Sequence, residues 1–321
     1  MGVLLLSVLA ALVIADSSQA SGPEIPPELK RPNYRVRDLE GIGYDRRYER
    51  QDPSNVIKVG ATFYAWYTHR KPGVHPYAST IHYATSQDGT DWEDKGQALG
   101  KGSKGEWDSY GVITPYVAAL DGTYYLFYTG TDDHPFGGEK TLRHIGIAVA
   151  DDPDGPWKKL HRNPVLSPGK NTWDGLLVDD AHLIVRGGKY WLYYKGRKPH
   201  QPPHDSSWGL AIADKPTGPY EKHDENPLLH PAHTVCVWPH RTGVAALVDL
   251  TNTVHYAPDG IHFTKVTKTK RGVLTGCGPY DPDAFTNTEY GRGIRWGIAQ
   301  RRKRQIHITR FECDLRAPPR D

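Results

Sequence analysis

The sequence predicts an all-β fold, a five-bladed β-propeller in a single domain, and three observations carry that expectation. Residues 107–130 (WDSYGVITPYVAALDGTYYLFYTG) and 173–196 (WDGLLVDDAHLIVRGGKYWLYYKG) align without a gap over 24 residues, at an offset of 66. A repeat at fixed offset is one supersecondary unit built more than once. Each copy consists of two apolar, alternating segments around a Gly-containing turn, the mark of a β-hairpin. No long stretch of 3.6-residue periodicity with caps accompanies them, so no helical layer competes.

Taken in order, residues 1–20 (MGVLLLSVLAALVIADSSQA) hold an apolar run over 3–14 and a small-residue ending at Ser18-Gln19-Ala20. They read as an export signal cleaved after Ala20, although the charged n-region is missing. The run is short for a membrane span. The expectation is an exported protein, periplasmic or secreted, without membrane attachment after cleavage. Residues 21–44 are Pro-rich and should run extended along the surface, leaving 45–321 for the propeller.

Within it, blade openings start at Asp52 (DPSNVIKVGATFYAWYT), at the two aligned runs, at Thr234 (TVCVWPHRTGVAALVDL) and at Asp281 (DPDAFTNTEYGRGIRWGIAQ). Closing halves start at His82 (HYATSQDGTDW), Gly146 (GIAVADDPDGPW), Gly209 (GLAIADKPTGPY) and His255 (HYAPDGIHF), with Asp, Gly and Pro turn chemistry before a last aromatic. Four strands in units of roughly 50–65 residues suit propeller blades.

The composition excludes several classes. A formal charge of +3 is unremarkable, and the cluster Arg301, Arg302, Lys303 and Arg304 between two strand-like runs reads as a solvated hairpin turn, so no nucleic-acid partner is expected. Three cysteines allow at most one disulfide, which excludes a stapled mini-fold. The sixteen histidines show no metal-ligand spacing.

In a propeller the innermost strand of each blade lines the central channel, so residues at its opening converge on one funnel. Those positions are Asp52, Thr114, Asp180, His233 with Thr234, and Asp281 or Asp283. The repeat is uniform in packing residues but varies here, with Thr114 standing where Asp180 stands. Carboxylates facing each other across a funnel are what glycoside hydrolysis needs, one polarising water while an acid protonates the leaving oxygen. The alternative is that Asp52 and Asp180 serve only as turn residues and His233 as a loop histidine. Asp179 competes with Asp180, and the gapless alignment selects Asp180. Gln51, Trp66, His69, Thr114, Asp179, His182 and Thr234 are the candidate sugar-binding residues.

The stretch Asp52-Pro53-Ser54-Asn55-Val56-Ile57 leading into Tyr64-Ala65-Trp66-Tyr67-Thr68-His69 resembles the first blade of glycoside hydrolase family 117. Tyr193-Tyr194-Lys195-Gly196 and His233-Thr234-Val235-Cys236-Val237-Trp238-Pro239 resemble its third and fourth blades. The resemblance runs from about Arg47 onward; the general blade pattern is shared with a wider clan that includes family 43. It implies a five-bladed propeller that removes 3,6-anhydro-α-L-galactose, or a related galactose-type unit, from the non-reducing end of marine-galactan oligosaccharides with inversion. Asp52 then matches the general base, Asp180 or Asp179 the second acid, and His233 the general acid. The family's His-Glu pair is His233-Thr234 here, so His233 needs a nearby carboxylate to stay protonated. A family 43-like arabinosyl or xylosyl hydrolase and a non-catalytic carbohydrate-binding propeller are the alternatives. No cofactor is required, a structural divalent metal in the central channel is compatible with the resemblance, and the state is monomer or homodimer.

Overall fold

The computed structural model describes residues 24–132, 142–269, 275–302 and 304–320; the export signal lies outside them. The first strand, β1 (Tyr34–Asp38), belongs to the last blade. In blade I the innermost strand is split into β2 (Glu49–Gln51) and β3 (Val56–Val59), both paired with β4 (Thr62–Arg70), and β5 (Thr80–Ser86) and β6 (Trp92–Leu99) follow outward. Blade II is β7 (Gly111–Leu120), β8 (Thr123–Thr131), β9 (Arg143–Ala150) and β10 (Lys158–Lys159). Blade III is β11 (Leu177–Arg186), β12 (Lys189–Arg197), β13 (Ser207–Ala213) and β14 (Glu221–Lys222). Blade IV is β15 (Val235–Arg241), β16 (Gly243–Val248), β17 (Thr253–Ala257) and β18 (Thr264–Lys268). Blade V is β19 (Thr275–Pro279), β20 (Gly291–Arg302) and β21 (Ile306–Arg316), and β1 pairs antiparallel with β21 as its fourth strand. Two 3₁₀ turns, Pro27–Leu29 and Pro203–Asp205, are the helical elements among the described residues.

Five apolar clusters hold the ring, each shared by two consecutive blades. Trp66 and Tyr128 meet between I and II, Phe127 and Tyr194 between II and III, and Tyr193 and Val237 between III and IV. Trp238 and Phe311 meet between IV and V, and Tyr67 and Ile308 between V and I. A blade buries both faces against its neighbours, and radial repetition leaves only short sheet edges at the axis and the rim.

The aligned runs fold alike down to their register. Val112 pairs with Gly130 and Val178 with Gly196, and both ladders shift at the same place, between Ile113 and Tyr116 and between Asp179 and His182. The Trp-Asp motif has a packing role. Trp107 and Trp173 lie over Gly130 and Gly196, where a Cβ would approach the indole to 2.2 and 2.3 Å. Asp108 and Asp174 accept hydrogen bonds from Tyr128 and Tyr194 at 3.0 and 3.1 Å, and also from Lys159 and Lys222.

Two expectations change. The fifth blade opens at Thr275, and Asp281–Tyr290 instead forms the long connection between β19 and β20. Phe285 from this connection packs against clusters of blades I, II and III, and Ala284 accepts a hydrogen bond from the Val185 amide, so it lies across the far end of the channel. The segment 21–44, expected to run along the surface, contributes β1 to the propeller. Leu29 ahead of it is fully buried, and Glu28 accepts two hydrogen bonds from Arg241 at 2.8 and 2.9 Å.

Candidate active site

Four blades break their innermost strand at one position. Asp52, Thr114, Asp180 and Gly276 have φ of 46, 48, 51 and 51°, each beside an interrupted ladder. Left-handed backbone is costly for a side chain, most of all for β-branched Thr, and such outliers gather at functional sites. The bulge frees an amide from the ladder, and a side chain satisfies it. Gln300 Oε1 accepts from Asp52 N at 2.9 Å, Thr68 Oγ1 from Thr114 N at 2.9 Å, and Asp179 Oδ1 from Asp180 N at 2.8 Å. Asp180, rather than Asp179, is the structural counterpart of Asp52 and Thr114. In blade IV, β15 starts at Val235, and no residue there has a left-handed φ before it.

The bulges surround a cavity of about 300 Å³ whose wall contains Gln51, Asp52, Thr114, Asp179, Asp180, His233 and Thr234. It leads to a narrow channel lined by residues of all five blades, including Asp52, Thr114, His182, Thr234 and Cys277. A larger groove of about 630 Å³ on the outer side of blade III, near Arg162 and Lys189, contains none of the bulge residues.

Electrostatics divides the carboxyl groups. Asp179 is buried, paired with Arg143 at 2.8 Å and Lys195 at 3.3 Å, and accepts hydrogen bonds from Thr129 and Thr114 at 2.7 and 3.1 Å. Despite its burial these cations hold its pKa well below the carboxylate range. Asp180 accepts from Lys195 Nζ at 2.6 Å, but burial and the charges of Asp179 and Asp52 push its pKa up to about 8. Burial also raises Asp52, opposed by Lys195 and by hydrogen bonds from Gln51 and Thr68. The site therefore presents a fixed anion, a carboxyl group protonated near neutrality, and a second carboxyl beside it.

His233 lines the cavity, with Nδ1 3.0 Å from Thr234 Oγ1. The carboxylate needed to keep it charged does not prevail. Burial, with Lys195, Arg197 and Arg143 around it, pushes its pKa down to about 3, so the ring is neutral at neutral pH. Trp66 lies within the core between blades I and II, T-shaped against Trp157 and away from the cavity. His69 is also on β4 and stacks on His82 at 3.8 Å outside the cavity wall. His182 lies deeper, on the channel wall between Tyr116 and Trp208, and burial lowers its pKa to about 3. Asp281 and Asp283 are at the opposite end, where Asp283 pairs with Arg292.

Sequence reasoning missed Tyr77, Arg143, Arg197, Asp249 and Gln300, and gave Lys195 no role. Lys195 left a signal, since it interrupts an apolar strand and aligns with Thr129 at the offset that aligns Asp180 with Thr114. Blade II holds a Thr114–Thr129 hydrogen bond of 2.7 Å where blade III holds the Lys195–Asp180 pair. No three His, Cys, Asp or Glu side chains among the described residues group to hold a metal ion.

The glycosyl hydrolases family 43 model matches residues 47–182. A β-1,2-mannobiose phosphorylase of Thermoanaerobacter sp. (strain X514) is 30% identical over 154 residues, 44% of this chain and 45% of its own. A xylosidase/arabinosidase 43A of Humicola insolens is 29% identical over 90 residues, covering 28% and 23%. These alignments span less than half of either curated relative. The solved structure of a family 117 glycoside hydrolase from the marine bacterium Zobellia galactanivorans superposes with a TM-score of 0.81, at 32% identity over 92% of this chain and 93% of that one. With the ring, the bulge carboxyls and this end-to-end likeness together, the chain belongs to glycoside hydrolase family 117.

Proposed function

We propose that the protein is an exported, exo-acting, inverting glycoside hydrolase that releases a terminal α-linked sugar, 3,6-anhydro-L-galactose or a related galactose-type unit, from marine-galactan oligosaccharides. The observation that carries this reading is the pair Asp52 and Asp180, placed by equivalent bulges on one cavity and held in different electrostatic surroundings. A cavity of about 300 Å³ is at the small end of ligand sites, which favours a chain end over a run of sugar units.

In this reading Asp52 takes a proton from water attacking the anomeric carbon, and Asp180 protonates the departing glycosidic oxygen. The ammonium of Lys195, 2.6 Å from Asp180, then stabilises the carboxylate that remains. Gln51 donates to Asp52 Oδ2 at 2.9 Å and fixes its rotamer. His233, neutral, binds sugar hydroxyls rather than supplying the proton.

Asp52→Asn tests this directly. Wild type should release a monosaccharide from the non-reducing end of neoagaro-oligosaccharides as the inverted anomer, observed by NMR during turnover. The variant should lose about 10²–10⁴-fold in rate while still binding substrate by calorimetry. Retained turnover, or products longer than one unit, would refute the reading. The family 43 match favours an arabinosyl or xylosyl hydrolase as second reading, although no Glu lines the cavity among the described residues; cleavage of arabinosides or xylosides alone would establish it.

A further inference from the structure

Arg197 ends β12 on the cavity wall. Its neighbours use their charges within the protein, Arg143 on Asp179 at 2.8 Å and Lys195 on Asp180 at 2.6 Å. Among the described residues the Arg197 side chain makes no ion pair, and its Nε is buried without a hydrogen-bond partner. The adjacent charge is mostly unfavourable: Arg143 presses on it, and only the Asp179 carboxylate, already shared by two cations, and Tyr77 oppose this. A partly desolvated guanidinium beside a like charge costs free energy, and ring closure does not use it.

A second feature has the same sign. Gln300 lines the cavity, and the hairpin just beyond it exposes Arg301, Arg302 and Arg304. Gln305 in that hairpin donates to the Arg46 carbonyl at 2.9 Å, which brings another exposed arginine to the same rim. The hairpin that continues from Gln300 is thus rich in exposed arginine, and the cavity wall, which also carries Asp52, Asp179, Asp180 and Asp249, holds at Arg197 a guanidinium outside any ion pair among the described residues.

Resting on the glycosidase reading above, we propose that Arg197 is the specificity residue for an anionic substituent, a sulfate ester or a carboxylate, on the sugar chain entering the cavity, with the arginine rim steering such chains to the mouth. A guanidinium matches either oxyanion with parallel N–H donors. Steering by exposed charge acts on the association rate and weakens with salt.

The test compares a sulfated galactan oligosaccharide, its desulfated twin and a uronic acid-bearing counterpart, with wild type, Arg197→Gln and Arg197→Lys. The ratio of kcat/KM for the anionic over the neutral substrate should favour the anion in wild type. Arg197→Gln should reduce that ratio roughly 10- to 100-fold, the worth of charge-assisted hydrogen bonds, mainly through KM, and Arg197→Lys should restore part of it. Preference for the sulfated or the uronic substrate identifies the oxyanion. The wild-type preference should also shrink as salt rises. Binding of the same oligosaccharides to Asp52→Asn reads the subsite without turnover. Hydrolysis of neutral substrate with no anionic preference overturns this inference and leaves the glycosidase reading standing. Anion-selective binding with no hydrolysis overturns the glycosidase reading alone. Inorganic sulfate binding at Arg197 without any preference for sulfated sugar also overturns the inference.

Discussion

Blade II shows what the fold accepts at the position where blade III joins Lys195 to Asp180, and this allows the roles of stability and chemistry to be separated. Thr114 and Thr129 share a hydrogen bond of 2.7 Å where Asp180 and Lys195 meet at 2.6 Å. Replacing a buried pair by a neutral one is often near neutral for stability, whereas removing one partner costs about 3–5 kcal/mol. Lys195→Thr alone takes one of two cations from the buried Asp179 carboxylate and removes the donor to Asp180, so it should show that full penalty. Asp180→Thr alone leaves Lys195 on Asp179 at 3.3 Å and should cost about 1 kcal/mol, near the centre of the distribution for point variants. The double variant should recover to within about 1–2 kcal/mol of wild type, a coupling of the size seen between contacting residues. All three should hydrolyse at least about 10²-fold more slowly. Urea unfolding followed by circular dichroism gives the stabilities, and reducing-sugar release gives the rates. A double variant as unstable as Lys195→Thr would show that the Lys195–Asp180 contact is required by the fold. A double variant with near-wild-type turnover would remove Asp180 from the chemistry.

Three further outcomes follow from the same geometry. Asp180→Asn should lose about 10²–10⁴ in rate on natural oligosaccharides and far less on an activated aryl glycoside, whereas His233→Ala should lose similarly on both; the wild-type rate should fall as pH rises through about 8, where Asp180 gives up its proton, and its acidic limb should lie above the ordinary carboxylate range because Asp52 is raised. Leu29→Ala removes a fully buried side chain beside the closing strand and should cost about 2–5 kcal/mol, measured as a fall in Tm; an unchanged Tm would show that the closure does not depend on this anchor. Asp281 is buried with Oδ2 unpartnered and its pKa raised to about 8 from 3.8, so its contribution is present below the unfolded pKa and lost as pH rises through the folded one; Asp281→Asn should therefore raise Tm relative to wild type more at about pH 9 than at about pH 5, and equal shifts would contradict the assignment.

The blades were legible because their packing residues repeat. The Trp-Asp motif, the tyrosine that its Asp binds and the glycine beneath the indole are required in each copy, so they align. The fifth inner strand, TGCGP over Thr275–Pro279, lacks alternating apolar residues because its two glycines fit a bulge and a close backbone approach. The following DPDAF run then mimicked an opening. β1 was illegible for another reason: its sequence YRVRD is polar, and its partner β21 is at the far end of the chain, beyond any local pattern. At the site, the bulge residues could be read since a repeat exposes its own exceptions. Trp66 and His69 were misplaced because the second-strand position that reaches the site is the one held by Thr68, Thr129 and Lys195, whereas Trp66 packs between blades and His69 stacks on His82. Arg143 opens β9 after a variable connection, so no repeat position announced it.

The bulges also tie the chemistry to closure of the ring. Each left-handed residue gives up a ladder bond, and two of the three non-glycine ones recover it from the preceding blade: Thr114 from Thr68 in blade I and Asp52 from Gln300 in blade V. The amide of Asp52 is therefore held by β20, whose hairpin partner β21 is capped by β1 at the outer edge. Asp180 differs, since its amide is held by Asp179 within its own strand, and Asp179 is in turn fixed by Arg143 and Thr129 of blade II. Asp52 thus depends on the seam where β1 pairs with β21, and Asp180 on a buried network around Asp179 between two interior blades. Damage at the seam should loosen Asp52 before it disturbs the proton on Asp180, because only the first of these contacts crosses the closure.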